Sequence, residues 1–331
     1  MNLKQLEAFL WVAELQSFTK AARKLYVSQP AVSFQIRALE EDLRVPLFRR
    51  SDRKVELTEA GRLFYAEARE MLRHYHRIRE RLDELRGLQT GRLEVGASTI
   101  PGEYIVPLLL GAFHRRYPGV EVHLKIGGSG QVGRWVRERE VDLGIVGVAM
   151  REEDLECRAW LPDELVFVVP PDHPWAGATE VPPEALREQP FVMREPGSGT
   201  RQSLEAKLQA HGLDVEDLRV VMEVGSTRAV VTAVQAGVGI GVVSRWAVRD
   251  LLALGKIQEI RVAGFDPVRH LYVVRRRTGD AGFATAAFAE FILDPEGCRA
   301  CLGEDFCTPP GASHKGIGEE ELQGDVVEGG S

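Results

Sequence analysis

Residues 17–61 read SFTKAARKLYVSQPAVSFQIRALEEDLRVPLFRRSDRKVELTEAG, and this stretch decides the fold of the N-terminal part of the chain. Ser17 and Ser28 each precede an apolar pattern of helical spacing, so both are predicted helix N-caps. Pro30 follows the second cap within the first helical turn, where a missing backbone N–H costs nothing. The pattern therefore predicts a helix over residues 19–26 and a second helix after Ser28, joined by a tight turn.

A further amphipathic helix precedes this pair and completes a three-helix unit. Apolar residues recur at helical spacing over residues 3–13, and again over residues 32–43 in the last helix. The face that this last stripe leaves exposed carries Gln29, Ser33 and Arg37. Such a helix-turn-helix presents its last helix to the DNA major groove. Gln29 suits paired hydrogen bonds to an adenine edge, Ser33 suits a base or a phosphate, and Arg37 suits the backbone.

Residues 46–57 have an apolar start, a charged tip and an alternating end, which together predict a two-stranded wing. Arg50 and Arg53 at the tip are expected near phosphates or the minor groove. Phe34 borders the exposed face of the last helix, and we expect it to pack on the wing rather than to touch a thymine methyl group. For any one of these polar residues, an ordinary solvated surface position explains it as well as a DNA contact does. The predicted DNA contacts are Thr19, Gln29, Pro30, Ser33, Arg37, Arg50 and Arg53.

A long helix is predicted after Thr58, because apolar residues recur in alternating steps of three and four. The members of this stripe are Gly61, Phe64, Ala68, Met71, Tyr75, Ile78, Leu82 and Leu85. Glu and Arg flank the stripe and keep it narrow, which is typical of a heptad seam of about three repeats. We expect this helix to pair with a second copy of itself; burial of the stripe against its own domain is the alternative.

Charge is unevenly distributed along the chain. The 331 residues have a formal net charge of −7, and residues 294–331 alone hold nine acidic and two basic residues. The remainder is therefore formally neutral, and residues 1–57 hold ten basic against seven acidic residues, which suits a nucleic-acid partner. No apolar run reaches about 18 residues and no signal peptide is recognised, so we expect no membrane partner and a cytoplasmic location. Four unevenly spaced cysteines predict no disulfide framework.

Strand-like and helical segments alternate beyond residues 87–91, which break the long helix. This alternation predicts a mostly parallel sheet covered by helices. In such sheets ligands bind beyond the carboxyl ends of strands, where helix N-termini offer N–H donors. Four polar, Gly-rich junctions meet this description, at residues 97–99, 127–130, 196–201 and 225–227.

These four junctions predict a site for a small anion. Each offers hydroxyl groups and backbone amides, and Arg201 is expected to supply a countercharge. For each Ser or Thr singly, capping of its own helix explains the residue at least as well. The predicted effector-binding residues are Ser98, Thr99, Ser129, Ser198, Thr200, Arg201 and Thr227.

Residues 17–61 closely resemble the DNA-binding signature of the LysR-type transcriptional regulators, and the resemblance extends over residues 1–293. It implies an α+β multidomain protein with a winged helix-turn-helix, a long dimerisation helix and a two-lobed α/β domain like that of periplasmic binding proteins. It also implies a homodimer or tetramer on double-stranded operator DNA, an effector that shifts operator contacts, and RNA polymerase as a partner. The family often has Arg where this chain has Phe34. Residues 196–201 resemble a loop of members that regulate sulfur assimilation and carbon fixation, which implies a small anionic effector.

The chain accordingly divides into four predicted segments: a DNA-binding domain over residues 1–57, a coiled-coil linker helix and hinge over 58–91, a two-lobed effector-binding domain over 92–293, and an acidic tail over 294–331. The acidic, Gly-rich composition of the tail predicts disorder. Its cysteines and histidine could form a zinc site or a redox pair, or neither. The residues concerned are Cys298, Cys301, Cys307 and His314.

Catalytic motifs are missing from the sequence. It contains no Gly-x-Ser-x-Gly elbow, P-loop, dinucleotide fingerprint or H-E-x-x-H helix, so we expect neither an enzyme nor a cofactor. The main alternative to a regulator is a solute-binding protein without regulatory role, because residues 92–293 alone would suit one. The N-terminal helix-turn-helix argues against it.

Overall fold

A computed structural model describes residues 1–51, 54–86, 89–265, 268–278 and 281–303. The chain divides into two compact units, Met1–Arg92 and Leu93–Ser331. Within the described ranges, no helix has both the length and the apolar character needed to cross a membrane.

The N-terminal unit is helical apart from one β-hairpin. Its elements are α1 (Leu3–Leu15), α2 (Phe18–Lys24), α3 (Gln29–Leu43), β1 (Phe48–Ser51), β2 (Lys54–Leu57) and α4 (Glu59–Leu85). The Ser17 hydroxyl accepts from the Lys20 amide at 3.2 Å, and the Ser28 hydroxyl accepts from the Ala31 amide at 3.4 Å. Both N-caps predicted from the sequence are thereby confirmed.

The core of this unit is aromatic. The fully buried Phe9 ring contacts Phe48 of β1 and Phe64 of α4, with ring centroids 5.3 and 5.0 Å apart. Ala68 is buried in the same cluster. The first half of the predicted α4 seam thus packs inside its own unit, and the expectation that the whole stripe pairs with a second copy is wrong.

The C-terminal unit alternates strands and helices. Its strands are β3 (Thr90–Ser98), β4 (Gly119–Gly127), β5 (Leu143–Val146), β6 (Leu155–Val169), β7 (Pro190–Arg194), β8 (Arg219–Val224), β9 (Ile240–Ser244), β10 (Gln258–Ile260) and β11 (Val268–Arg276). Its helices are α5 (Val106–Arg116), α6 (Ser129–Arg137), α7 (Gly199–Ala210), α8 (Thr227–Gln235), α9 (Arg249–Ala253), α10 (Phe283–Leu293) and α11 (Pro295–Leu302). A π-helical turn, Pro101–Ile105, leads into α5.

The strands run in the order β4-β3-β5-β11-β6-β9-β7-β8, with β10 paired to β6. Pairing is parallel between β3 and β5 and between β7 and its neighbours β8 and β9, whereas β6 and β11 run antiparallel to their partners. The sheet is therefore mixed, not mostly parallel as the alternation predicts.

The long strand β6 joins two lobes. Its first half pairs with β11, and its second half pairs with β9 and β10. One lobe has a core around Phe113 and Phe288, and the other has a core around Phe167 and Phe191. Strand β11 and helix α10 return the chain to the first lobe. The four junctions singled out from the sequence lie within this two-lobed unit.

Candidate functional site

The outer face of α3 is the first candidate surface. Gln29, Pro30 and Arg37 are exposed and Ser33 is half-buried, while Thr19 is exposed on α2. The Gln29 Nε2 donates to the Ser33 hydroxyl at 2.9 Å, so these two predicted contacts lie side by side on one turn. The helix therefore presents polar groups and one cation outward. Its N-cap, Ser28, sets where the helix begins and so which residues face outward.

The wing is held against α3 by a carboxylate that the sequence analysis did not identify. Glu40 of α3 accepts from the Leu47 and Phe48 amides at 2.7 and 3.1 Å. In the hairpin, Arg50 pairs across to Val55. The Arg50 side chain and all of Arg53 lie outside the described residues, so their DNA-contact roles stay predictions.

Phe34 is 69% exposed. The expectation that it packs on the wing is therefore wrong. The side chain points away from the body of the unit, because Phe34 lies on the opposite side of α3 from the buried Val32, Ile36 and Leu39.

A cavity of about 300 Å³ is the second candidate site, and it lies within the C-terminal unit. Its walls come from all four junctions predicted from the sequence, together with residues near the ends of β7 and β11. The predicted residues Ser98, Thr99, Ser129, Ser198 and Thr200 line it. The cavity size suits a small molecule.

Two helices point uncapped N-termini toward this cavity. No side chain caps α6, which begins at Ser129, or α7, whose N-cap residue is Ser198. By contrast, Ser226 caps α8 by accepting from the Ala229 amide at 3.2 Å. The capping explanation therefore holds for Ser226 but not for Ser198, and the first amides of α6 and α7 are placed to bind an anion.

Arg194 supplies a buried cation at the end of β7. Its Nε and Nη2 each donate to the Glu195 carboxylate at 2.8 Å, and its Nη1 donates to the Thr227 hydroxyl at 2.8 Å. Burial alone would raise the pKa of Glu195, but the hydrogen bonds from Arg194, a backbone hydrogen bond and the charges of Arg194 and Arg201 together hold that pKa below its ordinary value. Thr227 does not line the cavity; it orients Arg194 from behind.

A second buried cation, Arg269 of β11, also lines the cavity. Its Nε donates to the Asp163 carboxylate at 2.8 Å, and its Nη2 donates to the Thr200 hydroxyl at 3.4 Å. Neither Arg194 nor Arg269 was predicted from the sequence. Arg194 stands at a strand end directly before a Gly-rich junction, a signal that was available, whereas nothing near Arg269 in the sequence marks it.

Arg201, the predicted countercharge, is placed elsewhere. It is not among the cavity-lining residues. Its Nε donates to Glu205 at 2.8 Å, and its Nη1 donates to Glu223 at 2.7 Å and to the Arg194 carbonyl at 2.9 Å. This corrects the sequence-based assignment: two carboxylates already balance Arg201, and its contact with the Arg194 backbone fixes the end of β7.

The start of the acidic tail is helical, contrary to the expected disorder. The Asp294 carboxylate caps α11 by accepting from the Glu296 and Gly297 amides, and Pro295 occupies the first turn. Cys298 is buried, and its thiol donates to the Ile292 carbonyl at 3.0 Å.

Cys301 of α11 is half-buried against the core around Phe113 and Phe288. Cys307 and His314 lie outside the described residues. Among the described residues, no group of three or more metal-binding side chains comes together.

A helix-turn-helix with an exposed last helix, on one chain with a two-lobed domain that encloses a polar cavity, defines a DNA-binding transcription regulator. Family models agree with this class. Residues 3–62 match "Bacterial regulatory helix-turn-helix protein, lysR family", and residues 86–295 match "LysR substrate binding domain". The chain belongs to the LysR family.

Relatives and solved structures extend this assignment. The RuBisCO operon transcriptional regulator of Allochromatium vinosum is 35% identical over 302 residues, which cover 91% of this chain and 98% of that protein. A full-length OxyR variant from Pseudomonas aeruginosa superimposes with a TM-score of 0.66 at 25% identity, over 91% of this chain and 96% of that one. The Synechocystis CcmR regulatory domain in complex with 2-PG gives a TM-score of 0.58 at 31% identity, over 64% of this chain and 98% of that one.

Proposed function

We propose that this regulator binds a small anion in the cavity of its C-terminal unit, and that the anion controls how its helix-turn-helix holds operator DNA. The observation that carries the proposal is the pair of buried arginines, Arg194 and Arg269, beside two uncapped helix N-termini. Related CcmR is described with 2-PG bound to its regulatory domain, which supports a compact ligand for a cavity of this size.

The polar groups of the cavity favour an anion with several oxygen atoms. The hydroxyls of Ser98, Thr99, Ser129 and Ser198 line it alongside Thr200. A buried guanidinium binds carboxylate or phosphate oxygens through charge-assisted hydrogen bonds. Because β7 and β11 supply one arginine each from different parts of the chain, an anion that contacts both would tie those strands together.

DNA binding belongs to α3 and the wing. We propose that Gln29 contacts a base edge and that Ser33 takes part in this contact by accepting a hydrogen bond from the Gln29 amide. We also propose that Thr19, Pro30 and Arg37 contact the backbone beside them, and that Arg50 and Arg53 contact phosphates or the minor groove. Replacing both wing arginines with alanine should weaken binding to every duplex and flatten its salt dependence. Unchanged affinity at moderate salt would remove the wing from the interface.

The proposal also covers assembly, partners and location. We infer a homodimer or tetramer, contact with RNA polymerase, and a cytoplasmic protein. The sequence-based borders at residues 57, 91 and 293 stay predictions, and α11 carries the folded part of the chain as far as Leu302.

Two measurements on the full chain test the anion site, with 2-PG as the probe. The first is thermal unfolding. The second is binding to an operator duplex selected from a random-sequence library. We expect 2-PG to raise the melting temperature and to change operator affinity, because a ligand of the native state stabilises it. Ser198→Ala should weaken 2-PG about tenfold or more without loss of unliganded stability, since Ser198 caps no helix.

The matched control is Thr232→Val, on the exposed side of α8 and outside the cavity. It should leave the affinity for 2-PG unchanged. If sulfate, phosphate and 2-PG all leave both readouts of the wild-type chain unmoved, the site does not take a small anion of this kind. Operator binding measured in the same experiment shows separately whether the regulator itself is active.

A further inference from the structure

Phe34 occupies the centre of the exposed face of α3. Consecutive helical residues turn by about 100° around the axis. On this geometry Phe34 lies roughly 170° from the midpoint of the buried residues Val32, Ile36 and Leu39. Its 69% exposure agrees with that placement. Any surface that α3 approaches along its outer face therefore meets Phe34.

The neighbours of Phe34 on this face are Pro30, one turn before it, and Arg37, one turn after it. Both are exposed. Gln29 and Ser33 lie on the flank of the same face and are joined to each other by a hydrogen bond. Phe34 is thus an apolar side chain beside Pro30, with the polar groups of Gln29, Ser33 and Arg37 around it on the face that the proposed docking turns toward the DNA.

A phenyl ring cannot hydrogen-bond to a base edge or to a phosphate oxygen in the way that these polar neighbours can. In the major groove the one distinctly apolar group that a base pair presents is the C5-methyl of thymine. Contact with that methyl removes apolar surface of both partners from water. An aromatic side chain that stays mostly exposed in the free protein acquires such a contact on binding.

We propose that Phe34 contacts a thymine methyl group in each half-site and so makes the operator require a T at that position. The inference rests on the proposed docking of α3 in the major groove. Uracil at the same position keeps the hydrogen-bonding groups of thymine and lacks only the methyl, so the contact depends on one carbon atom. It is worth about fourfold in affinity, the value of a single buried CH₂ group.

Deoxyuridine substitution tests this contact, because it removes the methyl and leaves the Watson–Crick pair intact. The full chain is titrated by fluorescence anisotropy with a duplex selected from a random-sequence library, in which each thymine is replaced in turn. We expect one thymine per half-site to show an about fourfold loss, and replacement in both half-sites to cost roughly fifteenfold. In Phe34→Ala these losses should vanish, while its affinity for the unmodified duplex falls roughly fifteenfold, because both half-sites lose the contact.

Tyr26→Ala is the matched control. Tyr26 is 96% exposed in the turn before α3, and its removal should leave the deoxyuridine losses as they are in the wild type. Persistence of the losses in Phe34→Ala would overturn the proposal, because another group would then contact the methyl. Absence of any deoxyuridine effect in the wild type would also overturn it.

Two further measurements distinguish failure of the Phe34 contact from failure of the proposed docking of α3. Gln29→Ala tests docking of α3 itself, since it should relax preference at a different base pair whether or not Phe34 reads a methyl. The melting temperature of Phe34→Ala should match that of the wild type, because the ring is mostly exposed. A lower melting temperature together with retained deoxyuridine losses would show that the ring packs within the protein and reads no base.

Discussion

Gln29 and Ser33 act as a pair on α3. The Ser33 hydroxyl accepts from Gln29 Nε2 at 2.9 Å and thereby restrains the amide that we propose contacts a base edge. Gln29→Ala should remove about 1–3 kcal/mol of discrimination at one base pair, the usual value of a paired contact to adenine. Ser33→Ala should relax preference at the same base pair by roughly 1 kcal/mol, because the amide then loses its restraint.

Binding to a panel of duplexes with single base-pair changes measures this coupling. The double variant should discriminate no worse than Gln29→Ala alone, since Ser33 acts through Gln29. Additive losses, or a Ser33 effect at a different base pair, would show that each side chain makes its own contact.

Glu195 occupies the hydrogen-bonding edge of Arg194 that an incoming anion needs. Effector binding would then displace an internal carboxylate, and Glu195→Gln should bind 2-PG about tenfold more tightly because a charged competitor is lost. Titration calorimetry of the full chain measures the change. Glu223→Gln is the control: Glu223 pairs with Arg201 outside the cavity, so the affinity should stay constant. Weaker binding in Glu195→Gln would show instead that Glu195 positions Arg194.

The first turn of α4 depends on the absence of a side chain at Gly61. A Cβ atom there would lie 2.1 Å from the Leu47 carbonyl oxygen, which is backbone and cannot move aside cheaply. Gly61→Ala should therefore destabilise the N-terminal unit by about 1–3 kcal/mol, the usual cost of overpacking. Chemical denaturation followed by circular dichroism would detect the loss as an earlier transition.

Gly111 of α5 provides the opposite case, because it is exposed. A Cβ atom there meets nothing nearer than an Arg115 guanidinium nitrogen at 3.9 Å. Gly111→Ala should stabilise the C-terminal unit by about 0.5–1 kcal/mol, because alanine loses less conformational freedom on folding. If Gly61→Ala also raised stability, helix propensity would outweigh the approach of Leu47 at that position.

Local signals in the sequence predict local structure well. The caps at Ser17 and Ser28 and the polar junctions with Ser129 and Ser198 depend on a few neighbouring residues, and all four positions fold as expected. The position of Arg269 cannot be predicted in this way, because its place in the cavity follows from a pairing with Asp163, 106 residues away in sequence. Contacts of that range leave no trace in a local pattern.

The first half of β6 and the whole of α11 are not predicted, for a different reason. Strand β6 spans 15 residues and includes Pro162, so its charged and proline-containing first half does not read as a strand. Helix α11 is not predicted, because the acidic, Gly-rich composition of the tail that follows it indicates disorder for the whole segment. Its Asp294 cap and its buried Cys298 and Leu302 give it a start and an apolar face that averaging over 38 residues obscures.

The stripe on α4 serves two purposes along its length. Gly61 and Ala68 are buried inside the N-terminal unit. Beyond them Met71, Tyr75 and Ile78 are 37–46% exposed, and Leu82 is 52% exposed. These four side chains fall within about 60° around the helix, so they form one narrow apolar face. A second copy of this helix would cover it, since apolar surface of this length on a charged helix is typical of a pairing seam.

Met71→Glu with Ile78→Glu should split this pairing, because two charges per helix would be buried without partners. Sedimentation of the full chain should then lose one assembly step, from tetramer to dimer or from dimer to monomer. Leu63→Glu is the control, since Leu63 is 71% exposed on α4 but lies outside the stripe, and its assembly should match the wild type. An unchanged mass for the double variant would place the main interface elsewhere. Because each copy brings one α3, loss of pairing should also cost the second half-site, and operator affinity should fall far more than any single base contact explains.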